Sequence, residues 1–205
     1  VDFCFSSSFL SYPSASTDKG IGEPQLIIRT VELKDIKGLA EVLTHSFHSH
    51  QGLWHWLYPL LKLGIYEDLR TRLRSSSTHH KCLVASKVID SATGCVEEIV
   101  GTVEISLRIN STSSDRSPYI SNLAVSHTHR RQGIARKLLL RCEQIAWEWG
   151  CQEVSLHVLE NNRPAKRLYF ANGYRLRRIE CSVNSFLFHH PKRFLLHKKK
   201  SQIEK

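Results

Sequence analysis

Residues 118–149 constrain this chain more than any other stretch. From Arg131 to Trp149 the apolar positions are 134, 135, 138, 139, 142, 145, 146 and 149, with Arg136, Lys137, Arg141, Glu143 and Gln144 on the opposite side. Steps of three and four predict an amphipathic helix with one face for the core, and Gly150 ends it. Just before it, Pro118 to Val125 reads as a strand, and Ser126-His-Thr-His-Arg-Arg-Gln-Gly133 joins the two as a short basic loop. The chain therefore combines helix and sheet. Its 205 residues, 41% hydrophobic and 23% charged, suit one folded domain and argue against wholesale disorder. No run approaches the ~20 apolar residues of a membrane-spanning helix; the best, Leu53 to Ile65, is broken by His55, Pro59, Lys62 and Gly64.

Other elements flank this segment. Residues 1–24 read as a disordered lead-in, 25–198 as the folded domain and 199–205 as a basic tail. Leu26 to Arg29 predicts a short strand, and Asp35 opens a helix through Ile36, Leu39, Ala40, Val42, Leu43 and Phe47. Residues 51–65 are aromatic and irregular, and Tyr66 to Leu73 predicts a short helix. Strands are expected over Cys82 to Ile89 and Cys95 to Leu107, around a turn at Asp90 to Gly94. Asn110 to Ser117 reads as a polar loop. Glu153 to Leu159 alternates with period two, Val154, Leu156 and Val158 facing the core. Asn162 can N-cap a helix with Pro164 in its first turn, stopped by Asn172-Gly173. Tyr174 to Cys181 and Arg193 to His197 are the last strands. The pattern is a single mixed α/β domain.

The basic loop has the makings of a phosphate cradle. A helix N-terminus offers unpaired N–H groups and a positive dipole end. Gly133 lets backbone come close to a ligand, and Arg130 and Arg131 add charge. By itself such a loop is usually a solvated turn. A second segment follows about 30 residues later: Asn162-Arg-Pro-Ala-Lys-Arg-Leu-Tyr169-Phe-Ala-Asn-Gly173-Tyr174, with Ala165, Leu168 and Tyr169 on one helix face. Arg130, Gly133 and Ala135 spell R-x-x-G-x-A after a strand ending in Leu-Ala-Val, and the later segment spells N-x-x-A-x-x-L-Y-x-x-x-G-[FY].

Together these two motifs, at this separation, resemble the GCN5-related N-acetyltransferase (GNAT) superfamily, over about residues 26–197. Arg131 departs from the family, which often has glycine there. The resemblance implies an α/β domain whose mixed sheet of about six to seven strands splays at a V-shaped cofactor cleft, flanked by about four helices. It implies acetyl-CoA as co-substrate and no metal. Backbone along Leu123, Ala124 and Val125 is then expected to bind the pantetheine arm and acetyl carbonyl. The amides of Arg131, Gln132, Gly133, Ile134, Ala135 and Arg136 are expected to hold the pyrophosphate beside Arg130. Asn162 and Ala165 are expected at the cofactor arm, and Tyr169 as general acid. A tyrosine hydroxyl can deliver a proton to a leaving thiolate; without the motif, Tyr169 would read as a packed aromatic on an amphipathic helix.

Amine attack also needs a base. No glutamate stands on the 118–125 strand. Tyr119 and His157 stand instead, His157 opposite the apolar face of its strand. Their pairing is similar to the N-terminal acetyltransferase branch that uses both, through water, to deprotonate an α-amine, and histidine titrates in the right range. A satisfied strand histidine is the bland alternative. The remaining histidines match no HExxH or zinc-finger spacing. The six cysteines form no CxxC pair and read as reduced and mostly buried. Trp54, Trp56 and Tyr58 read first as core; the resemblance would also make them one wall of the acceptor groove, with Phe186 and Phe188 as the other.

The reading is therefore an acetyl-CoA-dependent acetyltransferase for N-terminal α-amines, lysine side chains, or both, resembling plastid members with dual activity. One rival is a small-amine, polyamine-like acetyltransferase, which a net charge of +10 suits poorly. The other is a non-catalytic basic module binding RNA or the ribosome; the usual RNA-binding signatures are missing. Half of the excess charge lies in the last fifteen residues, six cations and one acid, so ribosome or nascent-chain contact through the tail is an expectation of the same kind. The serine- and aromatic-rich residues 3–17 resemble the end of a transit peptide. They point to the chloroplast stroma, with the cytoplasm as the alternative.

Overall fold

The computed structural model describes residues 25–47, 78–91, 94–110, 113–180 and 191–201. Seven strands form one sheet: β1 (Leu26–Thr30), β2 (His80–Ser91), β3 (Gly94–Asn110), β4 (Ser113–Val125), β5 (Glu153–Leu159), β6 (Arg175–Glu180) and β7 (Arg193–Lys199). Their spatial order is β1-β2-β3-β4-β5-β7-β6. Helices α1 (Ile36–Phe47), α2 (Ile134–Glu148) and α3 (Arg163–Ala171) complete the described elements. The expected helix over 66–73, and the aromatic residues at 54, 56, 58, 186 and 188, lie outside the described residues.

Every neighbouring strand pair is antiparallel except β4 and β5. Those two run parallel and pair only at Tyr119↔Ser155 and Ile120↔Leu156. Beyond these positions they diverge, so the sheet opens into the expected V. Helices cover both faces. On one, Ile134, Leu138, Leu139, Cys142, Ile145 and Ala146 of α2 pack with Val103, Ile105, Ile120, Val154, Leu156, Val158 and Leu196. On the other, Ile36, Leu39, Val42 and Leu43 of α1 pack on Cys82, Val84 and Ala124. The alternation of Cys82 and Val84 against Leu83 and Ala85 between the two clusters is the period of a strand buried on both faces.

Two expectations need correction. The polar stretch 113–117 is not a loop. It extends β4, with Arg108↔Ser117, Ile109↔Arg116 and Asn110↔Ser113 in register; an antiparallel arm satisfies its backbone hydrogen bonds across the pair. Glu143, placed on the solvent side of its helix, is buried at 4% exposure. Lys198 explains it: its Nζ lies 2.6 Å from Glu143 Oε2, because β7 runs on to Lys199 and brings this cation under α2. Breaking a buried pair strands a charge. Lys198→Met is therefore expected to cost about 3 kcal/mol in denaturant unfolding, and the double change Lys198→Met with Glu143→Leu to recover most of it.

Candidate active site

The site begins with an interruption in β4. Between Thr102/Ala124 and Glu104/Ser121 the register of β3 against β4 shifts, so Asn122 and Leu123 face a single residue, Val103. Asn122 sits at φ 53°, and its Nδ2 donates to Glu104 Oε1 at 3.1 Å, holding the bulge. Past the bulge, the Ser126 N–H reaches Val100 O at 2.9 Å on the β3 side. Strand alternation then turns the N–H and C=O of Val125 to the opposite edge, from which β5 has departed. Arg130 Nε caps the Val125 carbonyl there at 3.3 Å. Leu123 and Val125 thus line the opening, while Ala124 is buried against α1.

A 3-10 turn, His127–His129, leads into α2. Gly133 is the N-cap residue at φ 76°, with no side chain capping the helix. A Cβ at Gly133 would meet nothing within 4 Å, so the space in front of it is open. Lys137 N donates to Gly133 O at 3.1 Å; among the described residues, none of the amides of 131–136 donates to a protein acceptor. Ile134 is buried and anchors the turn, while Arg131, Gln132, Gly133 and Arg136 are exposed. Arg131, where glycine is common in the family, adopts φ 67°, a left-handed conformation that costs a non-glycine residue roughly 1 kcal/mol. The arginine is held in a glycine-like shape, so the backbone cradle keeps its form and gains a cation. Lys87, missed by sequence reading, lies across the sheet with its Nζ 2.7 Å from Gln132 Oε1. Arg136 Nε donates to Asn172 Oδ1 at 3.2 Å, tying α2 to the end of α3. Loop, helix start and cations together form a ready anion site.

Where β4 and β5 separate, Tyr119 Oη lies 2.8 Å from His157 Nδ1. The expectation was action through a shared water; here the two bond directly. The second ring nitrogen, Nε2, is 3.0 Å from Glu180 Oε2. Glu180 Oε1 in turn accepts from Arg178 Nη2 at 2.6 Å. Arg108 lies over the Tyr119 ring, 3.7 Å from its centroid. Burial lowers the His157 pKa below its ordinary value, Glu180 works against that, and Arg193 and Arg108 reinforce it. The ring is therefore neutral near pH 7 and can accept a proton.

Tyr169, on α3, is buried at 7% exposure and packs at 5.8 Å against the Tyr174 ring. Burial, with Tyr119 adding to it, pushes its hydroxyl up to about 12, so it keeps its proton at any pH of interest. Asn162 Oδ1 accepts from Ala165 N at 3.2 Å, capping α3, and Ala165 packs half-buried against the core. The structure thus joins Tyr119 to His157 where β4 and β5 part, keeps the buried Tyr169 within electrostatic reach of Tyr119, and sets Arg130 to Arg136 at the start of α2.

Comparison with known proteins bears on the family and the fold. The model of the Acetyltransferase (GNAT) family matches residues 47–174. The chain is 26% identical over 148 residues to GCN5-related N-acetyltransferase 10, chloroplastic, of Arabidopsis thaliana, covering 68% of this chain and 58% of that protein. It is 27% identical over 140 residues to GCN5-related N-acetyltransferase 7, chloroplastic, of the same plant, covering 67% and 50%. The chain thus spans little more than half the length of these relatives. Among solved structures its fold is similar to the PaiA N-acetyltransferase of Thermoplasma acidophilum in complex with coenzyme A, at a TM-score of 0.63 and 21% identity over 86% of this chain and 99% of that one.

Proposed function

We propose that this chain, which belongs to the Acetyltransferase (GNAT) family, acetylates protein amines, with N-terminal α-amines preferred to lysine side chains. The single observation behind this choice of acceptor is the direct Tyr119–His157 bond at the point where β4 and β5 part. Acetyl-CoA supplies a thioester carbonyl to the attacking amine. The open space at Gly133 and the unpaired amides of 131–136 fit its pyrophosphate, and the free edge at Leu123 and Val125 fits an extended arm.

The residues of the chain then divide the proton work. Tyr119 Oη takes the amine proton as its own proton passes to His157 Nδ1, which the neutral ring can accept. The C–N bond forms as the C–S bond breaks, and the Tyr169 hydroxyl, protonated before the step, gives its proton to the leaving sulfur and regains one afterwards. Tyr169→Phe keeps the packing and removes that donor. Turnover is expected to fall about 10²-fold with acetyl-CoA affinity little changed; lost cofactor affinity with unaltered saturated turnover would make Tyr169 a binding contact only.

The charges around the pair argue against a polyamine acceptor. Arg108, Arg178 and Arg193 all face this part of the sheet, and both Arg108 and Arg193 act on His157. A polycation would be repelled, whereas a peptide presents one amine. Of the cations in the last fifteen residues, Lys198 is committed to Glu143; charge alone supports any ribosome or nascent-chain contact through the tail. Plastid residence is proposed from the chloroplastic relatives. Among the described residues no helix is long and apolar enough to cross a membrane. Initial rates on matched peptides with a free α-amine or a lone lysine, with spermidine alongside, test the assignment. Spermidine as the best acceptor would favour the small-amine reading. Acetyl-CoA binding with no acceptor turned over would favour a non-catalytic module.

A further inference from the structure

We infer that Glu180 is a positioning residue, which fixes the tautomer of His157 so that Nδ1 is free to accept the Tyr119 proton; this rests on the proposed role of His157 as base. The geometry allows one consistent assignment of hydrogens. A carboxylate only accepts, so at 3.0 Å Glu180 Oε2 accepts a hydrogen bond from Nε2–H, and the proton stays on that nitrogen. The neutral ring then has a bare Nδ1, and the Tyr119 hydroxyl must be the donor across 2.8 Å. Which nitrogen of a histidine carries the proton is set by the bond the other nitrogen makes. When the proton arrives at Nδ1, both nitrogens are donors and the Glu180 carboxylate faces the positive ring. Arg178 holds the other carboxylate oxygen, so the carboxylate has one orientation, and this pair holds Glu180 below the usual carboxylate range.

A fold-level device aims Glu180 at the site. On β5, His157 shares a face with Ser155 and Leu159, opposite the buried Val154, Leu156 and Val158. Across β7, Leu195 and Arg193 are the register partners of His157 and Leu159. On β6, Arg178 pairs with Leu195 and Glu180 with Arg193, but Leu176 pairs with Leu196, and the register shifts between Leu176 and Arg178. Leu196 is a fully buried core residue. Without the bulge at 177, strict alternation from Leu176 through Arg178 would put Glu180 on the side of Leu176, away from His157. The bulge moves it across, as bulges beside active sites do.

The test is ¹⁵N NMR of the imidazole in the parent and in Glu180→Gln, joined to rate profiles. The groups facing His157 are Tyr119 from β4, Arg108 from β3, Arg193 from β7, and Glu180 with Arg178 from β6; only Glu180 is changed. The parent is expected to show Nε2 protonated and Nδ1 bare above the histidine pKa. Glu180→Gln is expected to give mixed tautomers, because an amide can donate as well as accept. Its kcat is expected to fall roughly 10²-fold, its acetyl-CoA KM to stay unchanged, and its histidine break in the kcat/KM profile to move to lower pH, since the carboxylate that favours the imidazolium is gone. Glu180→Ala is the second variant, with far-UV circular dichroism to verify folding. An unaltered tautomer and unaltered break would overturn the inference and leave Glu180 as a surface partner of Arg178. A changed tautomer with unchanged rate would uphold the placement and overturn the base assignment of His157 instead.

Discussion

His157→Ala is expected to lower kcat/KM on N-terminal peptides by roughly 10³-fold, within the span of lost acid–base catalysis, and to change the shape of its pH profile. Two groups must be neutral for attack: the acceptor amine, with pKa ~8 for an α-amine, and the His157 ring. Burial holds His157 below its ordinary value of 6.5. The logarithm of the parent rate is therefore expected to climb with slope two below the histidine pKa, with slope one from there to about 8, and then to level off. In His157→Ala only the substrate's own break remains, so slope one persists through the acidic range. Tyr119→Phe is expected to remove the same lower break, because in the proposed mechanism the phenol links amine and imidazole. An identical slope-two limb in parent and His157→Ala would show that the histidine is structural. Lysine peptides add a separate check. At pH 7.5 a lysine amine (pKa ~10.4) is neutral roughly 200 times less often than an α-amine, so its rate is expected to keep rising well past pH 8. Lysine peptides outperforming N-terminal ones at every pH would overturn the preference for α-amines.

Gly133→Glu is expected to abolish acetyl-CoA binding while leaving the fold intact. The position sits at φ 76°, which glycine tolerates and other residues resist. A Cβ would clash with no protein atom within 4 Å, so the new side chain projects into the open cradle instead of the core. There it places a negative charge among the amides of 131–136 and the exposed Arg130, Arg131 and Arg136, the proposed seat of the pyrophosphate. In thermal denaturation the parent is expected to gain several degrees with acetyl-CoA at 100 times Kd, corresponding to ~2.7 kcal/mol of linkage. The variant is expected to gain nothing at the same concentration. Gly133→Ala separates the two causes, since it keeps the backbone strain without the charge and is expected to retain part of the shift. A full shift in Gly133→Glu would place the cofactor elsewhere.

Much of the fold was legible in the sequence because its signals are local and periodic. The α2 face repeats every three to four residues, and Ile134, Leu138, Leu139, Cys142, Ile145 and Ala146 are buried as that spacing requires. β5 alternates, and its buried residues are the apolar set Val154, Leu156 and Val158. The cradle was legible for a different reason: a strand, a glycine and a helix start must occur consecutively for backbone amides to converge. The phenol–imidazole pair could be named from residue type and face, since Tyr119 and His157 each stand on a strand flanking the opening.

What the sequence could not hold is whatever depends on register between distant segments. Lys198 meets Glu143, 55 positions earlier, only because β7 inserts between β5 and β6 and carries the cation under α2. From spacing alone, Glu143 belonged to the solvent face. Glu180 is the clearest case. Read with period two from the buried Tyr174, it falls on the core side with Leu176, and nothing nearby marks an interruption. One unpaired residue at 177 reverses that parity, and two further strand pairings bring the carboxylate to His157. Local pattern, a matter of neighbours in the chain, determined the helices, the strand faces and the strand–glycine–helix turn. Pairing register is a matter of which strands lie side by side, so tertiary structure alone decided which carboxylate stands behind the histidine and which ring nitrogen faces Tyr119.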